Sequence, residues 1–456
     1  MSRATLRKKE LPLATAPVHK LVLSFMLTAL AGLLLNTVYS LTDALFVAHA
    51  VGDDAMGGIS AVYPFVILQS ALATAVGSGA AVLVALRLGE GDKKGAGSAT
   101  LSAMTVFYAV SGGATIVGFC VLDELLAAMG ATGVLYEHAK DYFVVILAGN
   151  VFSTGFSSVI RAEGANLYSL LIWVIPILLN IVLDAVFILA LDLGVTGSAL
   201  ATVIAQMTSF SMSVFFFARL SVQDFKGARP SLAAAARVAL TGLPALIQTG
   251  GLSVMIALVN SRLAENPSAL TAFGYASRLL TYAIIPVTAA AQALPPVLGY
   301  NFGAGLGRRA AHSVSAAFVL AMAGAALMLI LAEAAAEPLI GIFTRDKELV
   351  EAGADCLRVI AAALPLVPAA LIPGAALQAT GRKSAAALLY AAAPVSFLVF
   401  FALFGLLPEN SSVLWAFPAA YAFSALASAA VFAVRGRSLF LCALPYERMN
   451  GSPVNQ

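Results

Sequence analysis

The sequence predicts an all-α polytopic membrane protein of twelve transmembrane helices in two pseudo-symmetric six-helix lobes. Three observations carry that fold class. Hydrophobic residues fill 61% of the 456 positions and charged residues only 11%, whereas a soluble domain carries about 25% charged residues. Apolar runs of roughly 20 residues, long enough to cross a hydrocarbon core as a helix, recur along the chain between short polar breaks. The runs also lack the short alternating pattern of membrane strands, which argues against a β-barrel.

In chain order the spans are expected at 19–48, 57–85, 98–121, 140–160, 168–191, 195–218, 233–260, 270–300, 311–333, 354–378, 384–406 and 411–433. The first follows a basic segment, "MSRATLRKKELPLATAPVHK", and is too long for a signal-peptide core, so no cleavage is expected. The breaks alternate in charge. The N-terminus, "RLGEGDKKGA", "IRAEGAN", "ARLSVQDFKGARPSLAAAAR", "GLGRRAAH", "TGRKS" and the tail hold 20 of the 26 Lys and Arg. "AVGDDAMGG", "LDELLAAMG", "ALDLG" and "LPENSS" are mostly acidic. Basic loops stay in the cytoplasm, so both termini are expected there, in a multi-pass protein of the inner or plasma membrane. The net charge of +3 then reflects those loops and implies no nucleic-acid partner, and no obligate protein partner is evident. Cys120, Cys356 and Cys442 are odd in number and widely spaced, which suits packing better than disulfides or a metal site.

The chain also repeats itself. "RLGEGDKKGA" after the second span resembles "NFGAGLGRRA" after the eighth, and "IRAEG" resembles "LQATG". Gly164 and Gly381 set an offset of 217 residues, which lays span 1 on span 7 and span 5 on span 11. Six spans are an even number, so the halves share orientation and are related by an axis along the membrane normal. The expected boundaries are a cytoplasmic segment 1–18, a first lobe 19–220, a linker 221–232 around "SVQDFKGARPSL", a second lobe 233–435 and a cytoplasmic tail 436–456. The Gly-x-Gly stretches follow no strand and lack Walker spacing, so they read as turns between membrane helices rather than phosphate loops.

The repeat isolates the residues of interest. Asn180 and Asp184 lie one helical turn apart inside span 5, where a carboxylate costs about 2.5–3.5 kcal/mol to insert. Their counterparts at the repeat offset are Phe397 and Phe401, so the architecture does not require polar groups there. Asp43 in span 1 falls on Asn260, which cannot ionise, and Thr202 in span 6 falls on Ala419. The acidic set therefore belongs to the first half alone. A carboxylate in that position is either an interhelical hydrogen-bond clasp or a group that binds a proton or cation. Asp43 lies nearer a span end and can be read as a solvated helix-end residue. Asn36, Tyr39, Gln69, Gln206, Gln248, Met255, Asn260, Tyr282 and Gln292 are candidate cavity-lining residues, each with packing as its alternative. Glu163, Arg161, Glu90 and Asp92 fall in basic-side loops, where solvated charges and helix caps are the default. Pro64, Pro176, Pro244, Pro286, Pro295 and Pro296 mark candidate kinks.

With these features in place the sequence resembles the multidrug and toxic compound extrusion (MATE) family, on its DinF- and MepA-like branch. The resemblance rests on "SLTDALFVAHAVGDDAMGGISAVYP", "RLGEGDKKGA", "IRAEGAN", "PILLNIVLDAVFILALDLGVTGSALATVIAQ" and "PPVLGYNFGAGLGRRA", in order from about position 17 to 435. It implies a V-shaped pair of six-helix lobes and export of cationic or amphipathic drugs in exchange for H⁺ or Na⁺. It places the family's cation site on Asp43, Asn180, Asp184 and Thr202. Span 10 carries no carboxylate in "RVIAAALPLVPAALIPGAALQA", which argues against a second site in the other lobe. No cofactor beyond the coupling ion is expected, and no nucleophile–base set suggests an enzyme. A flippase for a lipid-linked precursor, or a related polysaccharide exporter, is the alternative within the same superfamily, but a flippase would line its path with more basic residues. A non-transporting receptor or scaffold is the alternative of another class, and it gives no reason for carboxylates in one half only.

Overall fold

The computed structural model describes residues 12–441 apart from 52, 129–133, 154–155, 264–265 and 408–409. Arg3, Arg7, Lys8, Lys9 and Arg448 of the expected basic segments lie outside the described residues. Among those described there is no strand, and twelve helices are long and apolar enough to span a membrane. They are α1 (Val18–Ala50), α2 (Asp53–Gly89), α3 (Lys93–Cys120), α4 (Val134–Gly149, resuming at Ser157–Ala162), α5 (Asn166–Asp184) and α6 (Gly194–Arg219). The second half follows as α7 (Leu232–Leu263), α8 (Pro267–Ala283, continuing to Gly303), α9 (Gly307–Ala334), α10 (Lys347–Ala361, continuing to Ala379), α11 (Lys383–Phe404) and α12 (Ala416–Leu441).

Two of the departures from the simple spans have clear local causes. The α10 helix starts seven residues before the expected 354, because the Asp346 side chain caps it by accepting from Glu348 N at 3.0 Å. Its polar first turns are tied down by Arg358, which pairs with Asp355 at 3.1 Å and Glu337 at 3.6 Å. The α8 helix breaks at Ile284, restarts at Ile285 with Pro286 in its first turn, and widens into a π-helix over Pro295–Gly299. Proline lacks the N–H that a regular ladder needs, so consecutive prolines favour such a rearrangement. Pro176 and Pro244 sit inside continuous helix.

The chain divides into two compact units. One holds Ala31–Val84 and Asp92–Gly242; the other holds Leu11–Leu30, Ala85–Gly91 and the chain from Leu243 onward. In the first, Val47, Phe143, Leu147, Ile188 and Val195 form an apolar core. The Gly-x-Gly turns explain themselves in the second. A methyl group on Gly303 would collide with the Leu86 carbonyl oxygen, and one on Gly89 with that of Tyr300. The first glycine of each motif thus lets the two helix ends touch backbone to backbone. The second glycine turns the chain, with φ +81° at Gly91 and +71° at Gly305, a region open to glycine at no steric cost. The repeat partners Gly164 and Gly381 do the same at +83° and +78°.

Candidate functional site

In the first unit, α1, α5 and α6 bring the expected residues together. Asn180 and Asp184 are 1% and 0% exposed, on one face of α5. In the orientation that satisfies both neighbours, Asn180 donates to Asp184 Oδ2 at 2.9 Å and accepts from Thr202 N at 3.1 Å. Asp43 of α1 is half-buried and accepts from the Ser198 hydroxyl of α6 at 2.8 Å. The Tyr39 and Thr202 hydroxyls, one turn further along α1 and α6, lie 3.3 Å apart. The Asp43 and Asp184 carboxyl groups are within hydrogen-bonding reach of each other. Asp184 Oδ1 has no N–H or hydroxyl donor among the described residues.

Local sequence builds this arrangement. Immediately after Asp184 the helix widens into a π-turn over Ala185–Ala190, and Asp192 takes a left-handed conformation with φ 52°. Single π-turns inside α-helices frequently mark functional sites. Val47, Ile188 and Val195 lie about one turn beyond Asp43, Asp184 and Ser198, all towards the acidic-loop end. These three belong to the apolar core around Phe143 and Leu147. An apolar core therefore begins about one turn from the carboxyl pair on that side. Ser198 was legible only as part of "GVTGSALA"; nothing in its type or spacing marked it as the partner of Asp43.

The repeat contrast holds in three dimensions. Phe397 is fully buried and stacks on Phe401 with ring centroids 5.8 Å apart and planes at 24°. Where the first half places an amide and a carboxyl, the second places packed rings.

The candidate cavity residues separate by environment. Asn36 is exposed, Tyr39 and Gln206 are half-buried, and Gln69 is buried with its amide donating to Ser111 at 2.8 Å. Gln69 is therefore an interhelical clasp. In the second unit Met255 is 1% exposed and packs in the core, which removes it from any lining. Gln248, Asn260 and Gln292 are half-buried and Tyr282 is exposed.

Of the basic-side acids, two behave as expected. Asp92 caps α3 by accepting from Gly95 N at 2.7 Å, and Glu90 pairs with Arg87 at 3.2 Å. Glu163 does not: it is only 3% exposed, not a solvated loop charge. Its carboxylate accepts from Val222 N at 2.7 Å, Ser221 Oγ at 2.8 Å and Gln223 Nε2 at 2.6 Å. Gln223 in turn accepts from Thr100 at 2.7 Å. The linker after α6 folds back on the α4–α5 turn through this carboxyl group. Burial pushes Glu163 up to about 7, against hydrogen bonds from Val222, Ser221 and Gln223 that favour its ionised form.

Chemically, the α1–α5–α6 site offers two carboxyl groups and two hydroxyls, all oxygen, with one amide and one serine to orient them. Two carboxylates facing each other in a buried setting repel when both are ionised, so a proton or cation between them relieves the pair. Oxygen atoms also suit a hard cation. Among the described residues no three His, Cys, Asp or Glu side chains cluster as metal ligands would.

Comparison with known proteins adds the family. A family model described as MatE matches residues 29–186 and 242–404. The two segments start and end at offsets on either side of 217 residues, in keeping with the internal repeat. The multidrug export protein MepA of Staphylococcus aureus is 26% identical over 433 residues, covering 91% of this chain and 93% of its own. The probable multidrug resistance protein YpnP of Bacillus subtilis is 24% identical over 300 residues, 64% of this chain and 67% of its own. Among solved structures, an outward-facing multidrug resistance MATE family transporter of the MOP superfamily matches with a TM-score of 0.87 at 22% identity, covering 95% of this chain and 99% of its own. A MOP superfamily transporter from Pyrococcus furiosus matches with a TM-score of 0.86 at 23% identity, covering the same shares. At these identities the structures establish the shared fold.

Proposed function

Because the chain belongs to the MatE family of multidrug and toxic compound extrusion proteins, we propose that it is a multidrug efflux antiporter. It exports cationic or amphipathic small molecules in exchange for H⁺ or Na⁺, and it is a transporter rather than an enzyme. The observation that carries the coupling is the meeting of Asp43 and Asp184, with one oxygen of the buried Asp184 left without an N–H or hydroxyl donor among the described residues. The alternation of basic and acidic loops supports a cell-membrane protein with both termini in the cytoplasm.

In the proposed cycle Asp43 and Asp184 take up the ion while the site is open to the outside. Tyr39 and Thr202 supply further oxygens, and Asn180 and Ser198 hold the carboxyl groups in register. Neutralising the pair relieves repulsion between α1 and α5, and the π-turn after Asp184 is the element of α5 best able to absorb the adjustment. The ion drives transport only because it binds the two states with different affinity. The altered packing lowers affinity for the drug cation, which leaves before the site turns inward and releases the ion. Accumulation of a cationic dye in cells carrying Asp184→Asn tests this. Loss of efflux with normal membrane expression is expected, and efflux equal to wild type would refute the coupling role.

A further inference from the structure

We propose that the second unit carries a site for the phosphate headgroup of an anionic lipid, at the end of the spans that bears the basic loops. A cleft of about 390 Å³ opens between the first turns of α1 and α9, lined by Pro17, Val18, His19, Arg309, His312, Ser315 and Ala316. Among the described residues no carboxylate lines it.

Arg309 is fixed within this cleft. Its Nε donates to Asn301 Oδ1 at 3.0 Å, and its Nη2 donates to Ala16 O at 2.7 Å and Leu13 O at 3.3 Å. Asn301 is itself fully buried and donates to Val297 O at 2.7 Å. One edge of the guanidinium is thus held by the fold, while Nη1 makes no hydrogen bond among the described residues. A guanidinium presented in a fixed plane suits the oxygens of a phosphate. His19 and His312 are exposed on the cleft walls, and exposed Lys20 and Arg308 flank them in sequence. Such a surface favours a headgroup of net negative charge over one whose phosphate is balanced by an ammonium group.

The faces that run on from the cleft point to a lipid rather than a free anion. Both α1 and α9 begin their spans here, which sets the cleft at headgroup depth. On α1, His19 is followed at four-residue spacing by Leu23 and Leu27, 40% and 52% exposed. On α9, His312, Ser315 and Ala316 lead to Val319, 65% exposed, along one helical stripe. Cationic groups at the end and bare apolar side chains deeper along the same faces match a phosphate with an acyl chain beneath it.

The test uses the full-length purified chain, delipidated in neutral detergent, and native mass spectrometry. Phosphatidylglycerol and phosphatidylcholine are titrated separately, with inorganic phosphate as competitor. A basic residue at a membrane surface contributes about 1 kcal/mol towards an anionic lipid, which is about fivefold in affinity. Wild type is expected to bind phosphatidylglycerol at least about fivefold tighter than phosphatidylcholine. The double variant Lys20→Gln/Arg308→Gln, which removes the two flanking charges and leaves Arg309 and its bonds in place, should lose most of that preference. Lys94→Gln, an exposed cation of the first unit, should keep it, and both variants should show the wild-type thermal midpoint without lipid. Equal binding of the two lipids, or an unchanged preference in the double variant, overturns the site. Displacement of phosphatidylglycerol by equimolar inorganic phosphate overturns the lipid and leaves a free-anion site.

Discussion

Glu163→Gln gives a direct reading of how the linker is held. In the wild type the buried carboxyl group is pushed up to about 7 from an ordinary 4.5. Between those values the folded chain binds a proton that the unfolded chain has already lost. Stability is therefore full below pH 4.5 and falls as pH rises through 7. One pKa unit corresponds to about 1.4 kcal/mol, so the difference amounts to about 3 kcal/mol over the window. Unfolding gains about 2.1 cal/mol/K of entropy per residue, so for this length the change is about 3 °C in midpoint. Glutamine keeps the shape and one acceptor but does not titrate. Thermal unfolding in one detergent at fixed scan rate, from pH 4.5 to 8, compares the two chains. The wild-type midpoint should fall by about 3 °C more than that of Glu163→Gln across the window. Parallel slopes would refute the burial and pairing assigned to Glu163.

The remaining predictions concern the backbone contact, the site and its aromatic counterpart. Gly303→Val should abolish folded protein in the membrane, because the Leu86 carbonyl leaves no room. Gly91→Ala, with open space around it, should cost only about 1–2 kcal/mol for its left-handed backbone, read as a small drop in thermal midpoint. Asn180→Ala removes the donor to Asp184 and the acceptor for Thr202 N. A hydrogen bond to a charged group contributes about 1.5–3 kcal/mol, so the half-saturating ion concentration for dye transport should shift by about tenfold or more. Phe397→Ala should destabilise by about 3–5 kcal/mol, as for other buried aromatics, while whatever transport survives keeps the ion dependence of wild type.

Much of this was legible in the sequence because its causes are local or periodic. Apolar length gave the spans, and the repeat exposed Asp184 by contrast with Phe401. The paired Gly-x-Gly turns could be found, but the reason for their first glycines lies in a contact between α2 and α8 ends, more than 200 positions apart. Ser198 was hidden for the same reason: a serine near a helix start has many uses until α1 is seen beside it. Glu163 reads as a solvated loop charge from sequence because its partners lie some 60 residues on, in a polar linker. Met255 and Gln69 were ambiguous by type, and only packing showed one in a core and the other clasped to Ser111. The early start of α10 depended on a cap, Asp346, in a region where charge masked the helix.

The central claim is that Asp43 and Asp184 act together as the ion-binding pair that powers export. Its most direct test is transport of a cationic dye by purified protein in sealed vesicles, under an imposed proton gradient and, separately, a sodium gradient. Wild type should move dye against its gradient with at least one of the two ions, and Asp43→Asn and Asp184→Asn should each lose the ion-driven component. Ion-driven transport that persists in both variants would contradict the account.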